Sequence, residues 1–299
     1  MELHEIQGKL FPIPPFDFSK SLSFTSMFTP TEGEQTISDL SFTKAIYLED
    51  QTLAFKLEDY GTIEKPILSY TLYSEDKISD KIKNELLDRI KFYLSLEDDL
   101  TRFYEIGRED PDFSTVLEDL YGLHQVKFLT PFEAAAWAVL SQRISMKAAH
   151  TLKNRITENV GDHIQIEGFD YWTFPDAHQI NDLGLEKLQS LIKNRRKSEY
   201  LIAVADAFQN VDESFLRNTP IKEVKEWLTD IKGIGEWSAH LELIRGLGRM
   251  EGIPEHDMKL SSCFKKVYGS EATEEYLQKI ADSYGEFKGY WTYYLRTGC

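Results

Sequence analysis

Residues 222–260 read KEVKEWLTDIKGIGEWSAHLELIRGLGRMEGIPEHDMKL, and the reading of this stretch decides the fold. A short amphipathic helix, Glu223 to about Asp230, runs into the tight turn Lys232-Gly233-Ile234-Gly235. A second helix starts at Glu236 and carries Trp237, Leu241 and Ile244 along one side. A proline-containing loop then delivers Glu255-His256-Asp257. Two glycines separated by one apolar residue suit a turn that needs φ > 0 and close approach to another backbone. The second helix begins there, so its free N–H groups and positive dipole end point outward, ready for an anion. Such a hairpin can hold a phosphate without touching a base.

The whole chain has 299 residues, enough for a large core and roughly two or three domains. Hydrophobic residues at 41% and aromatics at 13% describe an ordinary globular protein. No uncharged apolar run approaches the roughly 20 residues that a membrane helix needs, so no membrane partner is expected. The N-terminal MELHEIQGKLFPIPPF lacks the basic-then-apolar pattern of a secretory signal. With only Cys263 and Cys299, a disulfide framework and a four-cysteine metal or iron–sulfur site are excluded, and a cytoplasmic protein is expected.

The net charge of −16 argues at first against a nucleic-acid partner. Its distribution reverses that argument. Residues 1–119 hold 25 acidic and 12 basic residues, whereas residues 120–299 hold 25 and 22. The acidity belongs to the N-terminal part and leaves the C-terminal part free to bind a phosphate backbone through a local basic face. The densest basic cluster, Lys193 to Lys197, would join such a face only if it lay beside the Gly233–Gly235 turn.

Residues 1–80 read as strands and turns, with KAIYLED, TLAFKLED and ILSYTLYSED spaced as an antiparallel meander. From Ser79 the period turns helical, with Ile82, Leu86, Ile90 and Leu94 on one face and a break expected at Asp110-Pro111. Thr130-Pro131 followed by Glu133 is a helix start, with Thr as cap and Pro in the first turn. The run FEAAAWAVL that follows must be buried, and a second helix joins it near Gln142-Arg143. Further helices fill 171–220, with Pro175 and Gly184 as punctuation, and EEYLQKIADSYGEFKGYWTYYLR closes the chain.

Together these pieces resemble the helix–hairpin–helix DNA glycosylase superfamily, in particular its 3-methyladenine DNA glycosylase II type. Four anchors occur in the family's order. Pro14-Pro15-Phe16-Asp17-Phe18 is similar to the entry motif PPYDW, and Phe24 falls where the family places an aromatic near the base pocket. The segment from Phe132 to Ser145 is similar to FEQLVRAILGQ-x-VS, and Leu228 to Ala239 to LxxxPGIGRWTA. Ile253-Pro254-Glu255-His256-Asp257 stands for the segment that ends in the catalytic Asp. The resemblance implies an α+β fold: a small antiparallel β-rich domain, then two helical lobes with the active cleft between them. We place the domains at 1–119 and 120–299.

What the resemblance implies for the site can be carried over residue by residue. Asp257 would be the catalytic carboxylate, stabilising oxocarbenium character on the sugar and orienting water. Arg143, with Gln142 beside it, would be the wedge that fills the hole left by a flipped base, although the best-known member has an apolar side chain there. Gly233, Ile234 and Gly235 would grip the backbone, assisted by Lys232 in place of the family's Pro. No cofactor is implied beyond a monovalent Na+ or K+ held by the carbonyls of Thr229, Ile231 and Ile234. Trp237, Phe24 and Leu241 would line the base pocket, and the aromatic faces suit alkylated bases because these carry positive charge. The bland alternative for Trp237 and Phe24 is core packing.

Trp237 stands where strand-nicking relatives carry a Schiff-base Lys, so a monofunctional enzyme is expected. Too few cysteines are present for the iron–sulfur endonuclease III branch. Two departures bear on substrate: the family's pocket Tyr is Leu241, and its late pocket Trp aligns near Cys299, with Tyr290, Trp291, Tyr293 and Tyr294 as replacements. The implied partner is duplex DNA containing alkylated bases such as 3-methyladenine or 7-methylguanine, with no obligate protein partner and action as a monomer. A glycosylase for oxidised purines and a non-catalytic helix–hairpin–helix DNA-binding protein remain as alternatives.

Overall fold

A computed structural model describes residues 3–38, 40–253, 257–269, 271 and 273–299. The N-terminal layer is a five-stranded antiparallel sheet of β1 (His4–Leu10), β2 (Gln35–Ile37), β3 (Ser41–Leu48), β4 (Gln51–Asp59) and β5 (Leu68–Ser74), in the order β1-β5-β4-β3-β2. The expected meander is β3 to β5, with Ala45 opposite Ala54 and Ala54 opposite Tyr73. Helix α2 (Asp80–Tyr93), capped by Ser79, lays Ile82, Leu86 and Ile90 on one face of the sheet. The Pro-broken aromatic stretch after β1 is not strand. Asp17 accepts a hydrogen bond from the Lys20 N–H and starts helix α1 (Phe18–Ser26), whose Phe18 and Leu22 join the same core.

The other face of the sheet is covered by a hairpin that its four-residue strands conceal in the sequence: β6 (His163–Ile166) and β7 (Phe169–Trp172). Their Ile164, Ile166 and Tyr171 pack on Ala45, Ala54 and Tyr73.

The helices are α3 (Thr101–Arg108), α4 (Ser114–Asp119), α5 (Pro131–Leu140), α6 (Met146–Val160), α7 (Ala177–Ile192), α8 (Arg195–Asn210), α9 (Glu213–Asn218), α10 (Ile221–Asp230), α11 (Glu236–Leu241), α12 (Met258–Tyr268), α13 (Glu274–Ser283) and α14 (Lys288–Gly298). Thr130 caps α5 as expected, and all ten residues of α5 are buried. Gly184, with φ of 77°, kinks α7.

Two helical cores form. One is built by α5 to α11 around Val139, Leu140, Ile180, Leu201, Val224, Leu228 and Ala239. The other joins Phe103, Tyr104, Phe113 and Leu117 of α3 and α4 to Phe264, Leu277, Tyr284, Trp291 and Tyr294 near the C-terminus. The boundary placed at 119/120 therefore runs between helices α3–α4 and the C-terminal helices that share their core.

Charge is also buried at the layer junction. Glu34 bonds Lys44 at 2.8 Å and Lys153, and Lys153 reaches Glu133 at 2.7 Å. The two ammonium groups hold the Glu34 carboxyl down at about 2, against the desolvation that burial imposes.

Cys263 in α12 and Cys299 after α14 form a disulfide, with Cα atoms 5.5 Å apart. α12 and α14 pack together, which brings two cysteines distant in sequence within bonding range, and a single bridge is not a framework.

Candidate active site in the interlobe cleft

The Lys232–Gly235 turn joins α10 to α11 as the sequence implies. Gly233 has φ of 103°, and a Cβ there would meet the Tyr200 ring at 2.4 Å. Gly235 precedes α11 with extended backbone and no side-chain cap, so the first N–H groups of the helix are left for an outside acceptor. The Ile231 carbonyl accepts the Ile234 N–H at 3.0 Å, while those of Thr229 and Ile234 receive no backbone N–H in the turn. Main-chain oxygens of this kind suit a hard monovalent cation, and two of the three implied ligands are available for one.

The basic cluster lies beside this turn. Arg196 donates to the Tyr200 hydroxyl at 2.6 Å, and Tyr200 packs on Gly233. Glu199 bridges Arg195, at 2.9 Å, and Lys232, at 3.3 Å. Lys197 departs from the group. It is buried and donates to the carbonyls of Val139, Leu140 and Gln142, satisfying the orphan C-terminal carbonyls of α5.

The α5–α6 loop faces the same side. Gln142 donates to the Gly233 carbonyl at 2.8 Å and to Ser238 Oγ at 3.3 Å, tying loop to turn. Arg143 is exposed and holds a left-handed φ of 57°, a conformation that non-glycine residues adopt at a cost. Ile144 and Met146 are exposed next to it.

Asp257 caps α12. One carboxylate oxygen accepts the Leu260 N–H at 2.8 Å, and the other pairs with Arg296 Nη1 of α14 at 2.9 Å. Its side chain is 16% exposed, shielded yet reachable. Pro254, Glu255 and His256, which the sequence singled out as its neighbours, lie outside the described residues.

Helix α14 sets the scale of the cleft. One turn before Arg296, Tyr293 meets Phe24 with ring centroids 5.3 Å apart. Tyr293 is thus the C-terminal aromatic brought to Phe24, whereas Tyr290, Trp291 and Tyr294 are buried in the C-terminal core and Cys299 is bridged. Phe24 also stacks on Phe28 at 5.8 Å. Leu241 packs beside Phe28, Phe128 and Trp137.

Trp237 lies at the surface of the hairpin. It is 58% exposed at the first turn of α11 and makes no ring contact among the described residues. Core packing is thereby excluded for Trp237, and Phe24 is only half buried. After α11 the helix continues as a π-helical turn, Glu242–Gly246. It buries the Glu242 carboxyl without a hydrogen-bond partner among the described residues and sets Arg245 over Phe24 and Phe28. Burial pushes Glu242 well above the usual carboxylate range. Sequence reasoning passed over both residues; the only signal was two charges inside the apolar run LELIRGL.

A helix–hairpin–helix turn and an exposed loop tied to it by Gln142 mark the class of protein. The sequence profile of the HhH-GPD superfamily of base excision DNA repair proteins matches residues 136–285, and the chain belongs to that superfamily. It is 31% identical over 217 residues to the DNA-3-methyladenine glycosylase of Bacillus subtilis, covering 71% of this chain and 72% of that protein. The fold matches the 3-methyladenine DNA-glycosylase of Archaeoglobus fulgidus with a TM-score of 0.77 at 23% identity, over 97% of each chain. It also matches the 8-oxoguanine glycosylase/lyase of Clostridium acetobutylicum, with a TM-score of 0.67 at 16% identity over 99% of this chain and 96% of that one. The scaffold is therefore common to proteins named for different base chemistries, and residues rather than fold must decide between them.

Proposed function

We propose that the chain is a DNA glycosylase that flips alkylated bases of the 3-methyladenine and 7-methylguanine type out of duplex DNA and hydrolyses their N-glycosidic bonds. One observation carries the reading: α14 holds Arg296 against Asp257 and, one turn away, Tyr293 against Phe24, so one helix links the carboxylate to a cluster of aromatic rings. The 31% identity to a protein named DNA-3-methyladenine glycosylase supports the substrate class.

In this reading Asp257 faces the anomeric carbon. As the bond to the base breaks, positive charge builds on the sugar and the carboxylate stabilises it. Water then adds to that carbon and gives up its proton, leaving an abasic site. Arg143 enters the duplex as the base leaves, at a cost of a few kcal/mol in lost stacking. Its left-handed backbone and the Gln142 bond to Gly233 support a fixed loop rather than a floppy one. Gly233, Ile234 and Gly235 grip the phosphate backbone. Lys232, Arg195 and Arg196 flank that grip, and the carbonyls of Thr229, Ile231 and Ile234 would hold a Na+ or K+ ion, which would supply positive charge to a phosphate.

Strand nicking is not part of the proposed activity. Trp237 offers no amine for a Schiff base, which also disfavours an oxidised-purine glycosylase/lyase. A purely DNA-binding role would use Asp257 only as the cap of α12 and the partner of Arg296. The activity is proposed for the monomer, and a genomic substrate supports a cytoplasmic location. The test is release of free base from methylated duplex DNA, scored against strand nicking. Nicking without added base or heat would overturn the monofunctional reading, and no base release would overturn the activity.

A further inference from the structure

Arg245 is the charged group in the cleft that the proposed chemistry leaves unused. Its guanidinium carbon lies 4.8 Å from the Phe24 ring centroid and 4.4 Å from that of Phe28. Nε and Nη2 are sealed from solvent, and neither finds an acceptor among the described residues. No carboxylate pairs with it among the described residues. The groups that bear on it electrostatically include the phenols of Tyr93 and Tyr293 and the like charges of Arg296 and Lys127. Burial lowers its pKa to about 10, which still leaves a cation at neutral pH.

Such an arrangement is unfavourable in isolation. A buried charged donor left without an acceptor is costly, and the two phenyl faces return part of that cost. Lys44 and Lys153, by contrast, both meet Glu34, and Lys197 meets three main-chain carbonyls. The backbone at Arg245 is irregular too: a π turn shifts the helix by one residue where this side chain leaves it, a deviation found mostly at functional sites.

We propose that Arg245 reads the flipped base, donating its free N–H groups to a carbonyl oxygen and so favouring guanine-type over adenine-type lesions. The inference rests on the glycosylase reading of the cleft. Guanine carries the acceptor O6, which methylation at N7 leaves in place, and arginine is the side chain best matched to it. Adenine carries an amino group there, which sets donor against donor. Both methylated bases are cationic, so repulsion by Arg245 acts on both and cancels in their ratio. The O6 contact does not cancel.

The experiment compares release of 7-methylguanine and 3-methyladenine from methylated duplex DNA under single-turnover conditions, each divided by its uncatalysed rate. Arg245→Met should lower the 7-methylguanine to 3-methyladenine ratio about tenfold, chiefly through the guanine lesion, within the range of about 1–3 kcal/mol for one base contact. Arg245→Lys, which keeps charge but loses the planar fork, should fall between. A second measurement needs no variant: free 7-methylguanine should inhibit the unaltered protein more strongly than free 3-methyladenine. An unchanged ratio with both bases still released, or equal or reversed inhibition, overturns the role of Arg245 alone. No release of either base by the unaltered protein overturns the glycosylase reading and this inference with it.

Discussion

Asp257 and Arg296 are joined by an ion pair of 2.9 Å that fastens the N-terminus of α12 to the last turn of α14. Both oxygens of the carboxylate are thereby engaged, since Oδ1 also accepts the Leu260 N–H. The residue assigned to chemistry is the same one that starts its helix. Asn is as good an N-cap as Asp, so Asp257→Asn should preserve the helix and lose only the partly exposed pair with Arg296, about 0–1 kcal/mol. It removes the charge that the sugar needs, and base release should fall by about 10²–10³ or more. Unchanged excision in this variant, with duplex binding retained, would refute the mechanism.

The two glycines of the hairpin make separable demands. Gly233→Ala places a Cβ into the Tyr200 ring at a φ of 103°, so both sterics and backbone oppose it. A loss of about 1–3 kcal/mol in denaturant stability is expected. Gly235 has ordinary φ and open space around it, so Gly235→Ala should fold like the parent. If a phosphate approaches the backbone there, the extra methyl should weaken duplex binding at unchanged stability. Equal binding by the two proteins would remove Gly235 from the grip.

Arg143 allows a similar division. Its left-handed φ suits glycine better than arginine, so Arg143→Gly should leave stability unchanged or raise it slightly. The same change should slow excision from duplex DNA while sparing a lesion in single-stranded DNA, where no hole needs filling. Equal losses on both substrates would count against the wedge.

Two buried carboxyls predict opposite pH responses. Glu34 titrates below its unfolded value of 4.5, near 2, so its stabilisation is full above about pH 4.5 and is lost as pH falls toward 2. Glu242 titrates above its unfolded value, so the fold is favoured below about pH 4.5 and loses stability as pH rises through the folded value. Urea denaturation of Glu242→Gln and its parent should give curves that meet at acid pH and separate as pH rises, the variant being the more stable. Parallel curves across the range would show that Glu242 does not titrate in this way.

What could be read in the sequence was local or motif-borne. The hairpin announced itself through Gly233 and Gly235, the helix at 131 through the Thr130 cap, and the meander through alternating residues in three consecutive strands. What escaped depended on partners far apart in the chain. The network of Glu34, Lys44, Glu133 and Lys153 spans more than a hundred residues and looks like four ordinary surface charges. Lys197 reads as one more member of a basic run, yet it is the one turned inward to cap α5. Tyr293 could not be chosen from its aromatic neighbours until α14 was placed, because all four are buried and only the helix phase points one at Phe24. Trp237 illustrates the reverse. The motif names it, but its surroundings leave it largely in solvent.

The division of the C-terminal core has a consequence for biosynthesis. Helices α3 and α4 are made early, but their aromatic partners lie beyond residue 250, so Phe103 and Phe113 await a surface more than a hundred residues downstream. Such long closures form late, and chains fold from the N-terminus as they emerge. The sheet layer and the hairpin lobe can therefore assemble while the helix bearing Asp257 is still being made. Until then α3 and α4 carry an uncovered aromatic face that only the last helices conceal.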